Sequence, residues 1–99
     1  MTIRRLLADA ATRAADYLES LSDRSVAPPP GALIALRSLA RPLPDPPSDP
    51  ADILRELDEV GSPATVASAG PRYFGFVIGG SLPATLAAAN LAAAWDQNA

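Results

Sequence analysis

The sequence predicts a mostly α-helical chain of three to four helices, with a proline-rich connector and one short extended segment. Three observations carry this. Apolar residues recur at spacings of three and four between Ile3 and Leu21 and again between Ile53 and Val60, the period of an amphipathic helix. Helix-start and helix-stop residues bracket the second run. Nine of the eleven prolines fall between Pro28 and Pro63, where missing donors and fixed φ angles leave little room for regular structure.

The first helix is expected over Ile3–Leu21. Ile3, Leu7, Ala10, Ala14, Leu18 and Leu21 form its apolar stripe, widened by Leu6 and Tyr17. Thr2 is the expected N-cap, and Asp9 and Arg13 stand at i,i+4 in the favourable order. Such a stripe needs cover, either from the chain's own core, the preferred reading, or from another subunit. Ser22–Pro30 ends this helix and runs into Pro28-Pro29-Pro30-Gly31. Three prolines favour polyproline II, read here as a stiff connector in preference to an SH3-type ligand. Two or three helical turns are expected over Ala32–Arg41. Pro42, Pro44, Pro46, Pro47 and Pro50 then impose an irregular crossing.

Asp49-Pro50-Ala51-Asp52 is a strong helix start, with an Asp N-cap, Pro at N1 and an acid at N3. Ile53, Leu54, Leu57 and Val60 continue it for about three turns. Gly61 suits the position just past a helix end, with Pro63 blocking continuation. Thr65–Ala69 reads as loop. Arg72–Ile78, rich in aromatic and β-branched residues, reads as extended, broken by Gly75 and ended by Gly79-Gly80. Ser81 is the expected cap of a last, alanine-rich helix with Pro83 in its first turn. Small side chains all round that helix suggest a buried core position.

Composition narrows the function classes. The net charge is −3, and the eight basic residues, all Arg, are scattered among eleven acids. Nucleic-acid binding needs clustered cations, so none is expected. There is no cysteine and no histidine, which removes disulfides, thiolate metal sites and imidazole ligands or bases. No metal site is expected. No secretory signal follows Arg4-Arg5, and Leu82–Trp95 is too short to span a bilayer. A cytoplasmic chain without membrane contact is the default. Gly79-Gly80-Ser81 lacks the Lys of a P-loop and the third glycine of a dinucleotide fingerprint, so it reads as a tight turn. Asp96-Gln97-Asn98, taken alone, reads as a helix cap.

Together these parts resemble the N-terminal portion of the group II pyridoxal-phosphate-dependent amino-acid decarboxylases, which include the aromatic-L-amino-acid and glutamate enzymes. The matching order is the amphipathic first helix with Ala15-Asp16-Tyr17-Leu18-Glu19-Ser20-Leu21, the Val-Ala-Pro-Pro-Pro-Gly connector and the capped helix from Asp49 to Val60. Then come Pro71-Arg72-Tyr73-Phe74-Gly75-Phe76 and the Leu82-Pro83-Ala84 helix running into Trp95-Asp96-Gln97-Asn98. The specific part is Pro71–Asn98.

The resemblance implies a parent with the type I pyridoxal-phosphate fold, an α/β homodimer. Residues 1–69 would be its N-terminal helical flap and connector, packing across the partner subunit. Residues 70–99 would begin the large cofactor domain. The resemblance also implies that Phe76, Val77 and Gly79 line the substrate pocket, and that Gln97 and Asn98 lie near the active site at the dimer interface. The activity implied is decarboxylation of an L-amino acid with pyridoxal 5′-phosphate as electron sink. The chain has no lysine, and the cofactor needs one for its Schiff base. The expectation is therefore an N-terminal fragment without catalytic or cofactor-binding residues of its own, inactive alone. The rival expectation is a freestanding helical interaction or dimerisation protein.

Overall fold

The computed structural model describes residues 1–78 and 80–98. It contains four α-helices, and no strand among the described residues. Helix α1 spans Ile3–Ser20, as the period requires. The Thr2 hydroxyl accepts the Arg5 N–H at 3.2 Å, satisfying one of the donors a helix start leaves free. Helix α2 spans Pro30–Ala35 and tightens into a 3₁₀ turn, Leu36–Leu39. Pro30 sits at N1, where a missing N–H costs nothing.

Helix α3 spans Pro50–Glu56. Its start is as expected: the Asp49 carboxylate accepts the Ala51 N–H at 3.0 Å, with Pro50 at N1 and Asp52 in the first turn. Its end is not. The chain continues through a π turn, Leu57–Gly61, and a 3₁₀ turn, Ser62–Ala64, before reaching extended geometry at Thr65. Gly61 has right-handed helical angles, so it is not a left-handed terminator. Pro63 lies inside the 3₁₀ turn rather than beyond the helix. In an unbroken α-helix its ring would meet the carbonyl four residues back; the chain runs through the π and 3₁₀ turns there instead.

Helix α1 lies against the unit formed by α3 and its two added turns. Arg13 is the main tie: its guanidinium bonds Asp9 one turn back at 3.2 Å and Asp58 on the π turn at 3.0 Å. These two carboxylates hold the Arg13 pKa above its ordinary value, Asp58 contributing most. Tyr17 Oη and Thr65 Oγ1 are 2.8 Å apart. Arg24 stacks 4.4 Å from the Tyr17 ring centroid and donates to the Ser62 carbonyl at 2.7 Å.

Burial corrects two expectations. The half-buried residues on α1 are Leu6, Asp9, Ala10, Arg13, Tyr17 and Ser20, while Ile3, Leu7, Ala14 and Leu18 are exposed. Ala14 and Leu18 border the space between α1 and the α3 unit and stay exposed because no side chain fills it. The alanine-rich helix, α4 (Pro83–Trp95), is not a core helix here, since every residue in it is exposed. Only Leu21 and Ala67 are buried among the described residues, too small a core to cover a helix that is apolar all round. The Ala67 N–H donates to the Val26 carbonyl at 2.9 Å, tying the stretch after α1 to the loop beyond Thr65.

Candidate functional site

The segment after Pro71 is not extended where an extended run was expected. It folds into turns, and the Ile78 N–H donates to the Gly75 carbonyl at 3.1 Å, closing one over Phe76 and Val77. Both central residues have positive φ, 52° at Phe76 and 56° at Val77. An isolated β-rich segment has no ladder partner for its backbone groups. It satisfies one pair locally instead. The arrangement costs strain, because a left-handed conformation is disfavoured for bulky and above all β-branched side chains. No packing relieves it: Phe76 is 91% exposed and Val77 fully exposed.

The expected pocket residues therefore stand as follows. Phe76 and Val77 form an exposed turn tip. Gly79 lies outside the described residues. Gln97 and Asn98 are exposed past the end of α4. There the Gln97 amide donates to the Trp95 carbonyl at 2.9 Å. Asp96 takes left-handed angles, with φ 50°, and its N–H donates to the Ala92 carbonyl at 3.2 Å. This is the helix-capping role expected from the residues alone. Ser81 does not cap α4. The cap position is Leu82, without a side-chain bond, while Thr85 Oγ1 donates to the Leu82 carbonyl at 2.9 Å.

An apolar concavity lies elsewhere among the described residues. A groove of about 620 Å³ opens between α1 and the α3 unit, with Leu86 of α4 at its edge. Ala10, Ala14, Leu18, Leu54 and Leu57 supply its apolar walls, and Arg13, Tyr17, Asp58 and Thr65 its polar ones. None of Phe76, Val77, Gln97 or Asn98 lines it. Sequence reading missed this groove because its shape depends on the π turn, which follows no simple residue period. Gly61-Ser62-Pro63 was the available signal: a helix meeting a proline must either stop or change its pitch.

A second charged cluster lies on the other side of α3. Arg41 engages Glu56 through both guanidinium nitrogens, Nη2 to Oε2 at 2.6 Å. Hydrogen bonding to Arg41 is the main reason the Glu56 carboxyl titrates below its ordinary value. Among the described residues no group of three His, Cys, Asp or Glu could hold a metal ion. None of their helices is long and apolar enough to cross a membrane. The residues present do not fit pyridoxal phosphate either, since the sequence offers no lysine for a Schiff base and no histidine to stack on the ring. No family model, curated protein or solved structure matches the chain.

Proposed function

We propose that this chain is the N-terminal part of a pyridoxal-phosphate-dependent carboxy-lyase acting on an L-amino acid. The observation that carries the reading is the segment Pro71–Asn98, in which an aromatic and glycine-rich run leads through Gly79-Gly80 and Leu82-Pro83 into an alanine-rich helix ending Trp95-Asp96-Gln97-Asn98. In this reading residues 1–69 are a helical flap and residues 70–99 begin the cofactor domain. Phe76, Val77, Gly79, Gln97 and Asn98 contribute to the substrate pocket of a cytoplasmic homodimer joined through the N-terminal helices. The exposed part of the α1 stripe suits a flap that finishes its core on a partner, and the uncovered α4 suits the first helix of a larger domain. Chemistry on the cofactor belongs to residues this chain does not have, so no catalytic step is assigned to it.

The rival reading, a freestanding helical interaction protein, draws on the same exposed faces. The encoding DNA separates the two. The decarboxylase reading expects the frame to continue past codon 99 to a histidine and a lysine some hundreds of residues on. An in-frame stop there, followed by unrelated sequence, would overturn it. The purified 99-residue chain mixed with pyridoxal phosphate is expected to show no protonated-aldimine absorbance beyond that of its α-amino group.

A further inference from the structure

We propose that Arg41–Pro47 is a docking segment for a partner protein with an aromatic-lined, polyproline-binding groove of the SH3 type, Arg41 reaching an acidic pocket beside that groove. The segment reads Arg41-Pro42-Leu43-Pro44-Asp45-Pro46-Pro47. Proline fixes φ near the polyproline II value, and each residue before a proline is pushed toward the same region. Here that restriction covers every residue from Arg41 to Pro47. Polyproline II has three residues per turn, which sorts the side chains onto three edges. Arg41, Pro44 and Pro47 share one, and Leu43 and Pro46 the next. Pro42, Asp45 and Ser48 fall on the third.

Two adjacent edges thus carry Leu43-Pro44 and Pro46-Pro47 as paired apolar ridges, with a cation one turn before them. The third edge takes the acid to the solvent side. Polyproline-binding grooves accept this pattern of PxxP ridges in aromatic slots. A carboxylate pocket at the end of such a groove complements Arg41 as a planar, two-pronged donor.

The structure selects this run over the other proline cluster. Pro30 is already the first residue of α2, and Pro28 is half-buried. By contrast, all residues from Arg41 to Pro50 are exposed, and Leu43 is 93% exposed with no apolar neighbour covering it. A large apolar side chain held out between prolines that carry no backbone donor has nothing to pair with in its own chain. Two features must change on docking. Arg41 exchanges Glu56 for the partner's carboxylate, and exposed ion pairs of this kind add little stability. A bend at Asp45 and Pro46 straightens, at little cost in a segment with few torsions left free. An enzyme flap and a non-catalytic chain would carry this segment equally, so docking does not depend on the decarboxylase reading.

The test titrates the full chain into an isotope-labelled SH3 domain that takes arginine-first ligands, following resonances of the groove tryptophan. Saturable shifts below about 1 mM are expected. Arg41→Ala should weaken binding by roughly tenfold or more, the cost of leaving a charge partner unpaired at an interface. The double variant Pro44→Ala/Pro47→Ala should abolish it. Pro28→Ala/Pro29→Ala and Asp45→Ser should leave it unchanged. Pro44 and Pro47 are exposed, so that variant keeps the helices, which circular dichroism checks. Absence of saturable binding overturns the proposal, as does binding that survives loss of Pro44 and Pro47 or that falls with Pro28 and Pro29. A negative result would leave the decarboxylase reading standing.

Discussion

Val77 shows most sharply how one residue can sit against its own preference. A β-branched side chain is held at φ 56°, fully exposed, in a turn closed by a single hydrogen bond from Ile78 to Gly75. Strain of this sort runs to about 1–3 kcal/mol, and glycine at the same position removes it. Val77→Gly should therefore slow amide exchange at Ile78 by about fivefold or more, since about 1 kcal/mol is that factor in an opening equilibrium. An unchanged Ile78 rate would show that the turn is not limited by Val77. At this scale much was legible from sequence. Thr2, Asp49 and Pro50 act at helix starts as their chemistry dictates. Ser81 does not, because Pro83 sets the start of α4 one residue later and leaves Leu82 at the cap. The left-handed pair was not legible, since Phe and Val in a row read as strand.

Among the elements, α3 is the one whose start the chain specifies most fully. Its cap bond, donated by the Ala51 N–H to the Asp49 carboxylate, is exposed and local. Asp49→Ala should cost about 1 kcal/mol of helix stability, seen as lower helical ellipticity and faster exchange at Ala51, with no change at Arg5 on α1. Helical periods were readable for α1 and α3 because a stripe depends only on spacing. What lies over a stripe does not depend on spacing. The seating of α1 rests on Arg13 and Tyr17 reaching Asp58 and Thr65, contacts across more than forty positions of sequence that no local pattern encodes. The buried place expected for α4 failed for the same reason: alanine content shows that a helix tolerates close neighbours, not that it has them.

The whole molecule is open. Its accessible surface is 7813 Å², against about 5,300 Å² for a compact monomer of its mass. Its radius of gyration is 15.5 Å, against about 13 Å for a compact chain of this length. The excess is comparable to the area that permanent interfaces bury. The expected behaviour of the dilute chain is a broad loss of helix on heating, with a midpoint that rises with protein concentration as uncovered faces find one another. A sharp, concentration-independent transition by circular dichroism would contradict this. The mostly helical class was legible from periodicity and caps. The candidate pocket differs: Phe76, Val77, Gln97 and Asn98 are expected there by resemblance alone, and in this chain they are surface residues, none of them lining the groove beside α1.

The π turn at Leu57–Gly61 sets the angular phase of everything after it. Each residue of an α-helix advances by about 100°, and a π turn holds one more residue than an α turn in the same advance. Shortening this stretch by one residue would restore the ordinary pitch and swing the following side chains around the axis. Ser62 would leave Arg24 and Thr65 would leave Tyr17 in the same stroke, although none of those four residues had been altered. The stretch is thus fixed in number of residues, whatever occupies an exposed position such as Glu59. A deletion there acts as a gear slipping one tooth, and the face that α1 reads is replaced by its neighbour.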